Sequence, residues 1–301
     1  MRSNRITAMS AFLAVALSAC APGGERPSAA AAPVRLRVMS YNLRVGKGGG
    51  EWDGKTVDLE PAAKVIEAER PDLVGLQEVD FLRARTNGMD QPAWMAQRLG
   101  MHTAFVPALF GTPGRKDMDQ YGVALLSRFR FNTAQVTRRP LFVPDPAAYR
   151  PEVPDRMNEP RVLMGVPVDV GGSRILVFNT HLALDAGVRE RQIREVLETV
   201  SAAREPVILT GDFNTEPEAP AIAPLYAEFT EVMAAAGVPR DARNTTPAGL
   251  APRKCFDHIF VSRHFRVLSA RAIRDGTLAS DHNPIVADLQ IAESAKAGGE
   301  R

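Results

Sequence analysis

The sequence predicts a single α/β domain, and three observations carry the prediction. Short apolar, β-branched runs alternate with segments of helical period along nearly the whole chain. No segment repeats at a fixed interval. Of 301 residues, 45% are hydrophobic and 24% charged, the composition of an ordinary globular protein long enough for one large core.

The elements follow in order. "RLRVMSYN" (35–42) reads as a strand ending in small or polar residues. "DLEPAAKVIEAERP" (58–71) reads as a helix that Asp58 can cap, with Leu59, Ala62, Ala63 and Ile66 on one face. "DLVGLQEVD" (72–80) is a second strand, and "AWMAQRLG" (93–100) a short helix closed by Gly100. "YGVALLS" (121–127) and "RILVFNTHL" (174–182) are strands. "GVRERQIREVLETVSAAR" (187–204) is a helix with Val188, Ile193, Val196, Leu197 and Val200 along one stripe. "VILTGDFN" (207–214) is a buried strand expected to stop at Gly211. "FDHIFVS" (256–262) and "NPIVADLQI" (283–291) close the domain.

The two ends stand outside this pattern. Arg2 and Arg5 precede "MSAFLAVAL" (9–17), an apolar run too short to span a bilayer, as in a secretory signal. "LSAC" (17–20) then resembles the lipobox of bacterial lipoproteins. The resemblance implies a signal peptide over 1–19, lipid on Cys20 and, with Ala21 following, an outer-membrane location in the cell envelope. Residues 20–33 read as a lipidated Cys and a flexible Pro/Gly/Ala-rich linker, 34–292 as the domain, and 293–301 as a disordered tail. Removing 1–19 takes away two arginines and no acid, leaving 35 basic against 35 acidic residues. That balance lacks the basic excess of a dedicated nucleic-acid binder. With only Cys20 and Cys255, no disulfide framework and no thiolate zinc set is expected.

Polar residues collect at the strand ends. They are Asn42, Gln77-Glu78, Asn179-Thr180-His181, Asp212 with Asn214, Asp257, and Ser280-Asp281-His282. Each alone has a plain explanation: Asn42 a turn, Glu78 a solvated face, His181 a satisfied imidazole, Asp281 a cap. Jointly, the plain explanation requires every strand end to be decorated by accident. Strand ends and their loops are where open sheets carry function.

"SYN", "QEVD", "YGVALLS", "EPR", "NTHL", "GDFN", "FDHIF" and "SDHNPIV" occur in an order that resembles the endonuclease/exonuclease/phosphatase family, over about residues 34–292. The resemblance implies a DNase I-like two-sheet β-sandwich flanked by helices, and a metal-dependent phosphoesterase. It implies Asn42, Glu78 and Asp281 around magnesium or manganese, which suits hard oxygen donors. It implies His282 as the base, oriented by Asp257, with Asp212 acting on the attacking water or the leaving group. Asn214, Tyr121, Arg161 and Asn179 would bind phosphate, and His181 would act as a further catalytic group. The single residue between Asp212 and Asn214 would place both on one face of an extended segment. Where pancreatic-type nucleases carry an acid two residues after the tyrosine, this chain has Val123. "Arg85 … Asp90-Gln91 … Trp94" resembles a pattern of secreted or membrane-attached members. The expected substrate is a phosphoester: a lipid headgroup diester, a nucleotide or a nucleic acid. A non-catalytic ligand-binding lipoprotein is the rival class. The presence of Glu78 and His282 favours the enzyme.

Overall fold

The computed structural model describes residues 33–48, 56–110, 119–150, 157–274 and 278–292. The expectations for Cys20, the signal, the linker before Pro33 and the tail lie outside the described residues. The described residues belong to one compact unit that begins at Pro33.

Two six-stranded mixed sheets pack face to face. The first holds β1 (Arg35–Asn42), β2 (Leu73–Phe81), β3 (His102–Leu109), β4 (Gln120–Ser127), β11 (Phe265–Ala272) and β12 (Ile285–Ile291) in the order β11-β12-β1-β2-β4-β3. The second holds β5 (Thr137–Leu141), β6 (Arg161–Val170), β7 (Ser173–His181), β8 (Val207–Asp212), β9 (Thr230–Glu231) and β10 (Asp257–Val261) in the order β5-β6-β7-β8-β10-β9. Helices α1 (Glu60–Glu69) and α2 (Gln91–Leu99) cover the first sheet, and α3 (Ala186–Ser201) with α4 (Ala223–Glu228) cover the second. The short α5 (Val232–Ala235) follows β9.

The central strands read as unbroken apolar runs because both their faces are buried. Val38, Leu125, Val177 and Ile208 meet between the sheets, while their neighbours Met39 and Leu126 pack under α1 and α2. Phe178 and Leu209 pack under α3 and α4. In α3 the expected stripe is buried, except that Leu197 is only partly covered. Asp58 does not cap α1 as expected; Leu59 takes that position, and the Asp58 carboxylate accepts from Glu60 N in a local turn. Gly100 closes α2 at φ 64°, as its position predicts.

Candidate active site

Strand register brings the polar ends together at one edge of the sandwich. Asn42 ends β1 beside Gln77, and His181, Asp212 and Asp257 lie abreast across β7, β8 and β10. Tyr121 sits near the start of β4, Arg161 opens β6, and Asp281 and His282 lead into β12. Two backbone distortions aim side chains. β2 carries one extra residue between Leu76 and Val79 relative to β4, and Glu78 in that bulge has φ 52°. A bulge redirects a side chain that regular pleating would send elsewhere. Strand β8 runs through Gly211 to Asp212, past the expected stop. Asn214 then has φ 50°, and its N–H donates to Asp212 Oδ1 at 2.9 Å. The Asp212–Asn214 pair therefore converges through a tight side-chain turn and not along an extended segment, because this hydrogen bond rewards the left-handed backbone.

At the centre stands His282. Its Nδ1 lies 2.8 Å from Asp257 Oδ2, and the same oxygen accepts from Thr245 Oγ1 at 2.6 Å. Asp257 and Thr245 are fully buried, and Asp257 Oδ1 is buried without a partner. With its Nδ1 proton held by Asp257, a neutral His282 presents Nε2 as the basic atom. Burial disfavours the imidazolium, yet the charges of Asp257, Asp212 and Asp281 outweigh it and hold His282 well above the usual imidazole range. Ser280 Oγ donates to Asn42 O at 2.6 Å, tying this loop to the end of β1.

Carboxylates crowd the adjoining wall. Asn42 donates from Nδ2 to Glu78 Oε1 at 3.1 Å and to Asp212 Oδ2 at 3.0 Å. Its Oδ1, the atom expected to face a cation, accepts instead from Arg44 N at 2.9 Å. Turning the amide over would set its NH2 against that N–H, so Asn42 acts as a donor between two acids. Burial first, and the nearby charge of Asp281 second, push Glu78 up to about 7. Burial likewise raises Asp212. Ligand atoms of Asp212, Asp257 and His282 lie within 4.8 Å of one another. Hard oxygen donors, with Glu78 and Asp212 raised by burial and by a neighbouring acid and an amide between those two, fit a divalent cation.

Opposite them, Arg161 Nη1 lies 2.9 Å from His181 Nδ1. A guanidinium can only donate, so Nδ1 is the acceptor. Nε2 is 3.1 Å from Asn214 Nδ2 and 3.5 Å from Asp212 Oδ2. Burial, with Arg161 and His282 beside it, holds His181 well below the usual imidazole range. His181 is thus held neutral, with Arg161 and Asn214 at its two ring nitrogens. The site expected for a supporting acid is filled by Val123, which is buried between the sheets. Arg161 itself spends Nη2 on Glu159 at 2.9 Å and is only 4% exposed, so its first task is to hold its neighbours.

Glu78, Asp212, Asp281, His282, His181 and Arg161 line a cavity of about 350 Å³, together with Tyr121, Asn214, Tyr149, Glu159, Leu184 and Arg85. Burial, then the charges of Glu78 and Glu159, raise Tyr121 well above the usual phenol range and keep it a hydroxyl donor. Asn179, expected at the phosphate, does not line the cavity. Its Nδ2 donates to Leu76 O at 2.8 Å and Ala124 O at 2.9 Å, and its Oδ1 accepts from Gln77 Nε2 at 2.7 Å, bridging the sheets. It lies two residues before His181, roughly 7 Å deeper along the strand. Sequence reasoning missed Thr245, for which "NTTP" carries no signal. It also missed Tyr149 and Glu159, although "EPR" contains Glu159.

No curated protein sequence matches the chain. Solved structures do. An endonuclease/exonuclease/phosphatase from Beutenbergia cavernae is 26% identical over 86% of this chain and 72% of that one, with a TM-score of 0.62. A mannosyl-6-phosphatase from Bacteroides thetaiotaomicron is 21% identical over 84% and 99%, with a TM-score of 0.62. The D. rerio TDP2 complexed with single-strand DNA product is 19% identical over 85% and 98%, with a TM-score of 0.57. The two-sheet architecture is therefore the DNase I-like fold. The model of the Endonuclease/Exonuclease/phosphatase family matches residues 39–282, which begin inside β1 and end on His282. With that match spanning both sheets and every strand end at the cavity, the chain belongs to the endonuclease/exonuclease/phosphatase family of phosphoester hydrolases.

Proposed function

We propose that this hydrolase is a magnesium-dependent phosphodiesterase in which His282, oriented by Asp257, takes the proton of the attacking water. The observation that carries the reading is the 2.8 Å contact between His282 Nδ1 and Asp257 Oδ2, which leaves Nε2 as the base in a cavity walled by acids. Glu78 and Asp281 would hold the cation, magnesium or manganese, with Asn42 fixing the Glu78 carboxylate. When bound, the cation supplies charge neutralisation at the phosphate and at the leaving oxygen. The protein's own groups do the rest. Asp212, 3.7 Å from His282 Nε2, orients the water and stabilises the imidazolium that forms. Tyr121 donates to a phosphate oxygen, and Asn214 braces the same wall through Leu182 O and His181 Nε2. Because His181 resists protonation, its part is to bind rather than to protonate the leaving group.

A lipid-headgroup diester is the preferred substrate. The expected Cys20 anchor would tether the domain at the outer membrane, and the formal charge balance gives little pull toward polyanions. A nucleic-acid substrate is the second reading, favoured by the single-strand DNA product bound to the TDP2 neighbour.

The test is hydrolysis by the purified protein, with magnesium, of lipid vesicles, supercoiled plasmid, nucleotides and phosphomonoesters. Glu78→Gln should lower turnover of the best substrate by several orders of magnitude while the thermal melt hardly moves. Near wild-type turnover in that variant would remove the cation assignment. Mass spectrometry finding residue 20 unmodified on native protein would remove the anchor.

A further inference from the structure

Arg85 belongs to the cavity but to none of the roles above. Its Nε and Nη2 donate to Asp80 Oδ2 at 2.7 Å and Oδ1 at 2.8 Å, a two-pronged grip on a carboxylate that is fully buried. Asp80 is itself fixed: its N–H donates to Gln91 Oε1 at 2.9 Å, and Gln91 Nε2 donates to Val45 O at 2.7 Å. The guanidinium lies over the Tyr121 ring, 5.1 Å from its centroid. Three supports thus set the plane of a side chain that would otherwise sample many rotamers. Nη1 is left without a hydrogen-bond partner among the described residues, on a side chain 39% exposed at the cavity. Arg161, the other guanidinium lining the cavity, has both terminal nitrogens engaged, by His181 and Glu159.

A surface ion pair is seldom built this way. Burying the acid completely costs free energy that an exposed pair avoids, and a fork held on one edge while the other faces a pocket matches how arginine recognises oxyanions. We propose that Arg85 is an anion-recognising residue of the substrate pocket, its Nη1 taking an oxygen of a phosphate-type oxyanion beside Tyr121. This rests on the phosphoester reading for its context, but it is measurable as binding alone. Two sources share the chemistry: the phosphate under attack, or a neighbouring anionic phosphate on the same substrate.

The experiment measures the affinity of inorganic phosphate and of pyrophosphate by calorimetry in magnesium buffer, for wild type, Arg85→Gln and Arg85→Lys. Loss of a charge-assisted hydrogen bond should weaken binding about tenfold or more in Arg85→Gln. Arg85→Lys, which keeps the charge but not the fork, should fall between the two. A loss for both ligands assigns Nη1 to the attacked phosphate, and a loss confined to pyrophosphate assigns it to the neighbouring one. Unchanged affinity for both in folded Arg85→Gln and Arg85→Lys overturns the proposal, as does wild-type protein that binds neither. Phosphoester turnover by the wild type is scored separately. Turnover with unchanged binding leaves the function standing without Arg85, and weakened binding without turnover leaves Arg85 standing without the function.

Discussion

An imidazole acts as a base only when neutral, and the surroundings of His282 hold on to its second proton. Burial works against the cation, but Asp257, Asp212 and Asp281 prevail. The rate should therefore rise with pH through a midpoint above the ordinary imidazole value of about 6.5. Asp257→Asn removes the nearest of the three charges, so it should slow turnover and move that midpoint down. A pH–rate profile of both proteins checks this, and an unmoved midpoint would count against His282 as the base. Glu78 titrates in the same sense for cation binding. A carboxyl raised to about 7 is protonated below that value, and a cation needs it ionised. Magnesium affinity should climb as pH rises toward 7 and level off above it, with proton uptake by the buffer accompanying binding below 7. Calorimetry in two buffers of different ionisation heat reads that proton directly.

At the scale of the element, the Asn179 bridge predicts a stability effect with no role in substrate contact. Asn179→Ala would take this donor from Leu76 O and Ala124 O in a dry layer, at a cost of about 3 kcal/mol. A denaturant melt should shift accordingly, and a melt within error of wild type would refute the bridge. The same residue marks where the sequence was legible and where it was not. "VFNTH" fixes the strand and its end, so His181 lands at the cavity. How deep a side chain two positions earlier falls depends on the facing sheet, which only the three-dimensional packing supplies. Strands with both faces buried were read in β1, β2, β7 and β8, though not in β6. The unread ones lie at margins or carry breakers. β3 and β5 are sheet edges that contain Pro107 and Pro140, and β11 is an edge with Arg266 and Arg271 facing outward. β6 carries Gly165 and Pro167, yet β5 pairs only with Arg161 to Gly165, so the missing N–H at Pro167 disturbs no bond to β5. Among the catalytic candidates, charged groups at strand ends were visible. Partners such as Thr245, and the groups that face His181, depend on neighbours remote in sequence.

Over the whole molecule, Cys255 is a built-in reporter of unfolding. It is 1% exposed, and burial raises its thiol above the usual range, so reagents should reach it only when the domain opens. In a Cys20→Ser chain it is the single thiol, and labelling against denaturant follows the global transition. Activity should fail earlier than labelling on the same axis; coincident curves would contradict that order. The reason lies in the division of the site. The base stands on the approach to β12 in one sheet, its orienting acid opens β10 in the other, and Glu78 and Asp212 are divided in the same way. Catalysis here is a coincidence detector: neither sheet owns a working half, and the reaction registers only while the two stay aligned. A slip of one sheet past the other by a fraction of a residue would silence the chemistry with every strand still paired. A compound wedged at the seam could switch the enzyme off without ever entering the cavity.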